Sequence, residues 1–142
     1  LLIRSPGKEN KKEKLYTSVP EVNLTINEIC SVDEDYVELY YSGDRDLKME
    51  VGTWFLEDID KQRNIPLPAA TVSPGSFILI YTQKGEHDLG LGRKDSVFLR
   101  FKDCIVDYCR WNEHVASYGS YPDGSNERVH MDKTPGSANS IP

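Results

Sequence analysis

The chain has few cysteines, no long apolar run and no stretch that keeps a helical period, and each shortage excludes something. Three cysteines in 142 residues are too few, and odd in number, for a disulfide framework. Cys104 and Cys109 fall at opposite parity of one expected strand, so no bond between them is expected and all three thiols should be free. No apolar run is long enough to span a bilayer. Basic charge is not in excess either: 17 Lys and Arg against 23 Asp and Glu leave a net charge of −6. That balance argues against nucleic-acid binding by phosphate neutralisation. The chain starts Leu1-Leu2-Ile3, without an initiator Met or an apolar signal core, and so reads as a piece of a longer protein.

Signatures of chemistry are missing as well. No Gly-x-Ser-x-Gly elbow supplies a nucleophile, and His87, His114 and His130 lie in polar stretches, where they read as surface residues. No Cys-x-x-Cys knuckle accompanies Cys104, Cys109 and His114, so zinc is not expected. Asp33, Glu34, Asp35, Asp44 and Asp46 lack the spacing of a calcium loop and read as a solvated acidic rim. Gly90-Leu91-Gly92-Arg93-Lys94-Asp95 has the wrong spacing for a phosphate loop, and no helix follows it. Glu28 and Glu38 fall on neighbouring strands, as a general acid/base pair would. Glu28, however, shares the parity of Leu24 and Ile26, which suits a partly buried structural carboxylate accepting backbone N–H bonds. No catalytic residue, cofactor or metal is therefore expected, and the chain reads as a non-enzyme.

What is present is strand pattern and turn chemistry. In Val97–Trp111, Val97, Leu99 and Phe101 alternate with Phe98 and Arg100. After Lys102-Asp103 the apolar residues resume as Ile105, Val106, Tyr108 and Trp111. Two such runs with a short join predict a β-hairpin. Tyr36–Tyr41 alternates with Val37, Leu39 and Tyr41 on one face and Tyr36, Glu38 and Tyr40 on the other. Gly52–Glu57 alternates around Trp54 and Leu56. Ser73-Pro74-Gly75-Ser76 predicts a type II turn, and Phe77–Tyr81 after it reads as a central strand covered on both faces. Lys84–Lys94 reads as a polar loop, and Tyr118–Gly124 and Lys133–Asn139 read as turns, the second followed by a tail. Many short strands with Pro/Gly turns predict an all-β sandwich or barrel.

Residues 5–14 are charged and lack large apolar groups. The expected organisation is a linker or flexible arm over 1–21 and one β-sandwich domain over 22–142, with Leu39, Trp54, Leu56, Leu79, Leu99 and Trp111 in its core. Tyr36, Glu38, Tyr40 and Phe55 are expected to share the face opposite that core. Tyrosines mixed with acids suit a partner-binding surface. Strand preference of tyrosine, or the N-terminal arm lying over them, would account for the same pattern.

Several pieces together resemble the lamin-tail domain in its prokaryotic form. They are Ile26-Asn27-Glu28-Ile29, Tyr36-Val37-Glu38-Leu39, Gly52-Thr53-Trp54-Phe55-Leu56, Val72-Ser73-Pro74-Gly75, Asp95-Ser96-Val97-Phe98-Leu99, Val106-Asp107 with Trp111, Tyr118–Gly124 and Thr134–Asn139. The likeness runs over roughly residues 22 to 140, and the shared order of the motifs is what makes it specific. It implies an immunoglobulin-like antiparallel β-sandwich. It also implies a non-catalytic interaction or surface-attachment module, monomeric and with a protein or cell-surface partner, in a secreted or envelope-associated protein. The alternative is an accessory substrate-binding domain of a hydrolase or nuclease. The family pattern often has an Arg before the Tyr-Pro-Asp-Gly turn. Here that position is Ser120, so a pairing of such an Arg with Glu28 would be lost.

Overall fold

The computed structural model describes residues 23–32, 34–58, 63–84, 87–125 and 127–141. The expected N-terminal arm, and Asp33 of the acidic rim, lie outside them. No helix occurs among the described residues, and so none is long and apolar enough to cross a membrane. Among the described residues thirteen strands follow one another. They are β1 (Leu24–Cys30), β2 (Tyr36–Tyr41), β3 (Leu47–Met49), β4 (Trp54–Asp58), β5 (Arg63–Pro66), β6 (Ala70–Val72), β7 (Phe77–Tyr81), β8 (Gln83–Lys84), β9 (His87–Asp88), β10 (Asp95–Phe101), β11 (Cys104–Trp111), β12 (Tyr118–Ser120) and β13 (Arg128–His130).

The protein is an antiparallel β-sandwich. One sheet has the order β13-β12-β1-β2-β7 and the other β11-β10-β4-β5, with β3-β6 and β8-β9 as small two-stranded additions. Val37 and Leu39 of the first sheet and Leu56, Val97 and Leu99 of the second meet in one buried cluster, as their period of two requires. Trp54 is 1% exposed and its ring lies 4.7 Å from that of Phe101. Trp111 closes one end, its Nε1 donating to Gly92 O at 2.8 Å. The hairpin forms as expected: Phe101 pairs with Cys104 across Lys102-Asp103, and Lys102 takes a positive φ of 51°. The Pro-Gly turn also forms, with Gly75 at φ +81° and Ser76 N donating to Ser73 O.

Three expectations are corrected. Strand β7 is not central: among the described residues it pairs only with β2 and forms the sheet's edge. Leu79 is not in the core. It pairs with Glu38, so it shares the outer face, and Ile78 and Ile80 reach the core instead. The stretch 84–94 is not merely a polar loop, because Leu89 and Leu91 are buried in the core. Gly90 between them turns the chain at φ +59°.

All three cysteines are free, but parity is not the reason. A bulge between Leu99 and Arg100 of β10 sets Leu99 opposite Asp107 and Arg100 opposite Ile105. Ile105 is thereby turned outward, at 42% exposed. Cys104, the partner of the inward Phe101, returns to the face of Cys109. Five residues of strand, roughly 16 Å, keep the two sulfurs apart.

Candidate functional site

The feature that draws the most polar groups together lies on the outer face of the first sheet, over β1 and β2. It starts from a bulge. Ile26 pairs with Leu39 and Glu28 with Glu38, so Asn27 is the extra residue. One extra residue reverses the side-chain alternation. Leu24 and Ile26 point inward, and so does Ile29, while Glu28 is turned outward beside Glu38. The expected parity of Glu28 is thus corrected. The expectation of a structural carboxylate holds, and Glu28 is buried completely rather than partly.

Both carboxylates are roofed by the end of the chain. Glu28 accepts bonds from the Tyr36 hydroxyl, from Ser117 Oγ at 3.0 Å, and from Thr134 N and Oγ1 at 3.2 and 2.9 Å. Glu38 accepts from Gly136 N at 2.6 Å and Asn27 Nδ2 at 3.2 Å. Asp123 accepts from Asn27 Nδ2 and Asn139 N, and Asn139 Nδ2 donates to the carbonyls of Asn27 and Ser120. Asn27 Oδ1 in turn accepts from Gly124 N at 2.9 Å. The turn after β12 and the strap 132–141 are therefore stitched to the β1–β2 ladder. Burial raises the pKa of Glu38 to about 7, helped by the charges of Glu28 and Asp123 and opposed by the Gly136 N–H and Asn27 bonds. Burial, the bond to Glu28 and nearby acids raise that of Tyr36.

This roof corrects the expected binding surface. Tyr36 is 4% exposed and Glu38 0%. Tyr40 is half-buried, with its ring 5.1 Å from that of Phe77 and its edge against the Gly124 turn. Phe55 belongs to β4 in the other sheet, on the opposite outer face of the sandwich. The four residues share outward parity, but they do not share a surface. Sequence parity shows which way a side chain points from its own strand; it does not show which sheet the strand joins or what later covers it.

Among the described residues no segment roofs the outer face of the second sheet as 132–141 roofs the first. Phe55 lies there under the Arg100 guanidinium, 4.2 Å from the ring centroid, and Arg100 Nε bonds Glu57 Oε2 at 2.8 Å. Phe98 stacks on Tyr108 at 5.8 Å and 23°, and Arg110 stands 6.0 Å from the Tyr108 ring. Tyr108 is 54% exposed. Phe55 and Phe98 were legible as lying opposite the core-facing positions of their strands, but nothing local marks the two guanidinium–ring contacts.

At the side of the sandwich Asp107 joins the two sheets. Its Oδ2 accepts from Ile26 N at 2.7 Å and from Arg128 Nη2 at 3.2 Å. Burial pushes its pKa up, against the pull of Arg128 and of the Ile26 and Tyr108 N–H groups. His114 Nδ1 lies 3.3 Å from Ser31 Oγ. Among the described residues no group of three or more His, Cys, Asp or Glu side chains is placed to hold a metal ion. No protein-family model matches this chain, and no curated protein matches it.

Proposed function

We propose that this domain is a non-catalytic interaction or surface-attachment module of a larger, secreted or envelope-associated protein, an immunoglobulin-like sandwich of the lamin-tail type that its motifs resemble. The observation that carries the reading is the closure over Glu28 and Glu38. A hydrolytic pair needs a cleft between its carboxylates for substrate and water. Here Thr134 and Gly136 occupy that position and use the carboxylate oxygens as anchors. The partner surface moves from the expected Tyr36–Tyr40 face to the outer face of β4, β10 and β11. Phe55, Phe98 and Tyr108 offer aromatic area there, and Arg100 and Arg110 stand against the rings. Cations over aromatics fit a partner with apolar and acidic groups.

The test is retention of the isolated domain on a cell-envelope preparation, compared with a Phe55→Ala/Phe98→Ala variant. Retention should fall about tenfold or more, since interface aromatics often carry over about 1 kcal/mol each. It should also fall with added salt, as contacts made by exposed cations do. Equal, salt-independent retention overturns the surface. Turnover of a glycoside, ester or phosphodiester by the domain, lost in Glu38→Gln, overturns the non-catalytic reading. If the double variant melts lower than the parent, Phe98→Ala alone carries the comparison.

A further inference from the structure

A cavity of ≈ 390 Å³ opens where β11, the edge of one sheet, faces β13, the edge of the other, and it is lined by Thr25, Asp107, Tyr108, Arg110, Ser125 and Arg128. Its volume falls at the lower end of the range for small-molecule sites. Its wall is fixed. Asp107 is held by Ile26 N and Arg128, and Arg128 is held in turn by the carbonyls of Tyr108 and Ile26 at 3.1 and 3.3 Å.

The wall carries donors in excess of acceptors. The Arg110 guanidinium contacts the Tyr108 ring and bonds no acceptor among the described residues. Behind the wall, Arg128 Nε and Thr25 Oγ1 are buried and have no hydrogen-bond partner among the described residues. Two guanidinium groups and one engaged carboxylate leave a single net positive charge at the cavity.

We propose that this cavity binds the carboxylate of an acidic sugar unit in a surface polysaccharide. A carboxylate is planar and takes two parallel N–H bonds from a guanidinium, the geometry that the unpartnered Arg110 offers. One net positive charge suits a monoanion, whereas a phosphate dianion would face the fixed Asp107 carboxylate with only that one charge in balance. The Ser125 hydroxyl and the exposed ring of Tyr108 suit the remainder of a sugar, whose hydroxyls need partners and whose C–H face packs on an aromatic ring. Arg110 also borders a second cavity of ≈ 280 Å³ beside Trp111, Tyr118 and His130, whose one carboxylate, Glu113, is paired with Arg93. A guanidinium standing between two cavities fits a repeating acidic chain with a unit on either side.

The assignment deepens the reading of the domain as an attachment module and rests on it. Its test is independent, because envelope retention through Phe55 and Phe98 can stand while this cavity binds nothing.

The experiment follows the amide resonances of Thr25, Tyr108, Ser125 and Arg128 while the domain is titrated with sodium glucuronate, an oligogalacturonate, glucose or inorganic phosphate. Glucuronate should shift them saturably at millimolar concentration, the oligomer should bind more tightly, and glucose and phosphate should leave them in place. Arg110→Gln should weaken glucuronate about 10- to 100-fold, the range for losing hydrogen bonds to a charged group. Arg110 anchors no other element of the fold, so this variant should melt as the parent does. Tyr108→Ala should weaken glucuronate while leaving the Asp107–Arg128 tie intact. Absence of shifts with glucuronate and oligomer, shifts unchanged in Arg110→Gln, or phosphate binding as tightly as glucuronate would each overturn the assignment.

Discussion

Glu38 should make the fold less stable as pH rises through neutrality, and Glu38→Gln should remove most of that dependence. In the folded protein its carboxyl is fully buried and its pKa is raised from 4.5 to about 7. The unfolded chain releases the proton near 4.5, while the folded chain keeps it until about 7. Between those values the folded state binds more protons, so stability falls as pH rises and the loss is complete above about pH 7. At 1.36 kcal/mol per unit the loss is about 3 kcal/mol, or roughly 10 °C in melting temperature for a domain of this size. Below about pH 7 the protonated carboxyl of the parent, like Gln, has one carbonyl oxygen to offer Gly136 N and Asn27 Nδ2. The curves should therefore part as pH rises: the two proteins are of similar stability near pH 5, and the variant is the more stable near pH 8. Asp107, also raised by burial, contributes a slope of the same sign to both proteins and cancels in the difference. The assay is urea unfolding of both proteins at pH 5, 6, 7 and 8. Parallel stability curves would refute the account of Glu38 as a buried, late-ionising acid.

Trp111→Ala should cost about 3–5 kcal/mol in the same assay, because the ring is 5% exposed and its N–H is bonded to Gly92 O; a loss under about 1 kcal/mol would place it outside the core. Gly119→Ala should destabilise by at least about 1–3 kcal/mol, since an added Cβ would stand 2.0 Å from Asn27 O, and β1 and β12 would have to part at the Glu28–Gly119 pair. Alkylation without reductant should label three thiols in the denatured chain and chiefly Cys104 in the folded one. Cys30 and Cys109 are buried, and burial pushes the Cys109 thiol up to about 11; mass measurement of the folded protein, with rapid labelling at two or three sites, would contradict this.

Local pattern made much of the architecture legible. Tyr36–Tyr41 and Phe77–Tyr81 are strands with the bounds that alternation and turns assign them, and the hairpin closes at Lys102-Asp103. Core membership followed wherever one strand kept strict alternation, as for Leu39, Trp54, Leu56 and Leu99. It failed where a neighbour decides. Phe77–Tyr81 is apolar on both faces, yet it sits at a sheet edge, and a short apolar run cannot distinguish an edge from a centre. The two leucines around Gly90 were the available sign that the loop 84–94 reaches inward, and the surrounding charge masked it.

The carboxylate cluster was illegible for a different reason. Its pieces lie about a hundred residues apart, and two unsignalled events bring them together. The Asn27 bulge turns Glu28 outward, opposite Glu38, and the strap then closes over both. Residues 132–140 read Asp-Lys-Thr-Pro-Gly-Ser-Ala-Asn-Ser, with no large apolar side chain to hold them on a sheet. Apolar burial therefore contributes little to docking this segment, and polar anchors must take its place. Buried acceptors supply them: Glu28 for Thr134, Glu38 for Gly136, and Asp123 and the carbonyls of Asn27 and Ser120 for Asn139. At Ser120, where the lamin-tail pattern that the sequence resembles often has an Arg, the backbone carbonyl anchors Asn139. The nearby guanidinium of Arg128 serves Asp107 at the sandwich edge. The hydrogen bonds described for Glu28 and Glu38 come from hydroxyls, amides and backbone N–H groups, which orient a carboxylate without neutralising it. For Glu38, burial and the charges of Glu28 and Asp123 raise the pKa, and the Gly136 N–H and Asn27 bonds only partly oppose the rise. The grip of the strap on β2 is thereby tied to the protonation of Glu38.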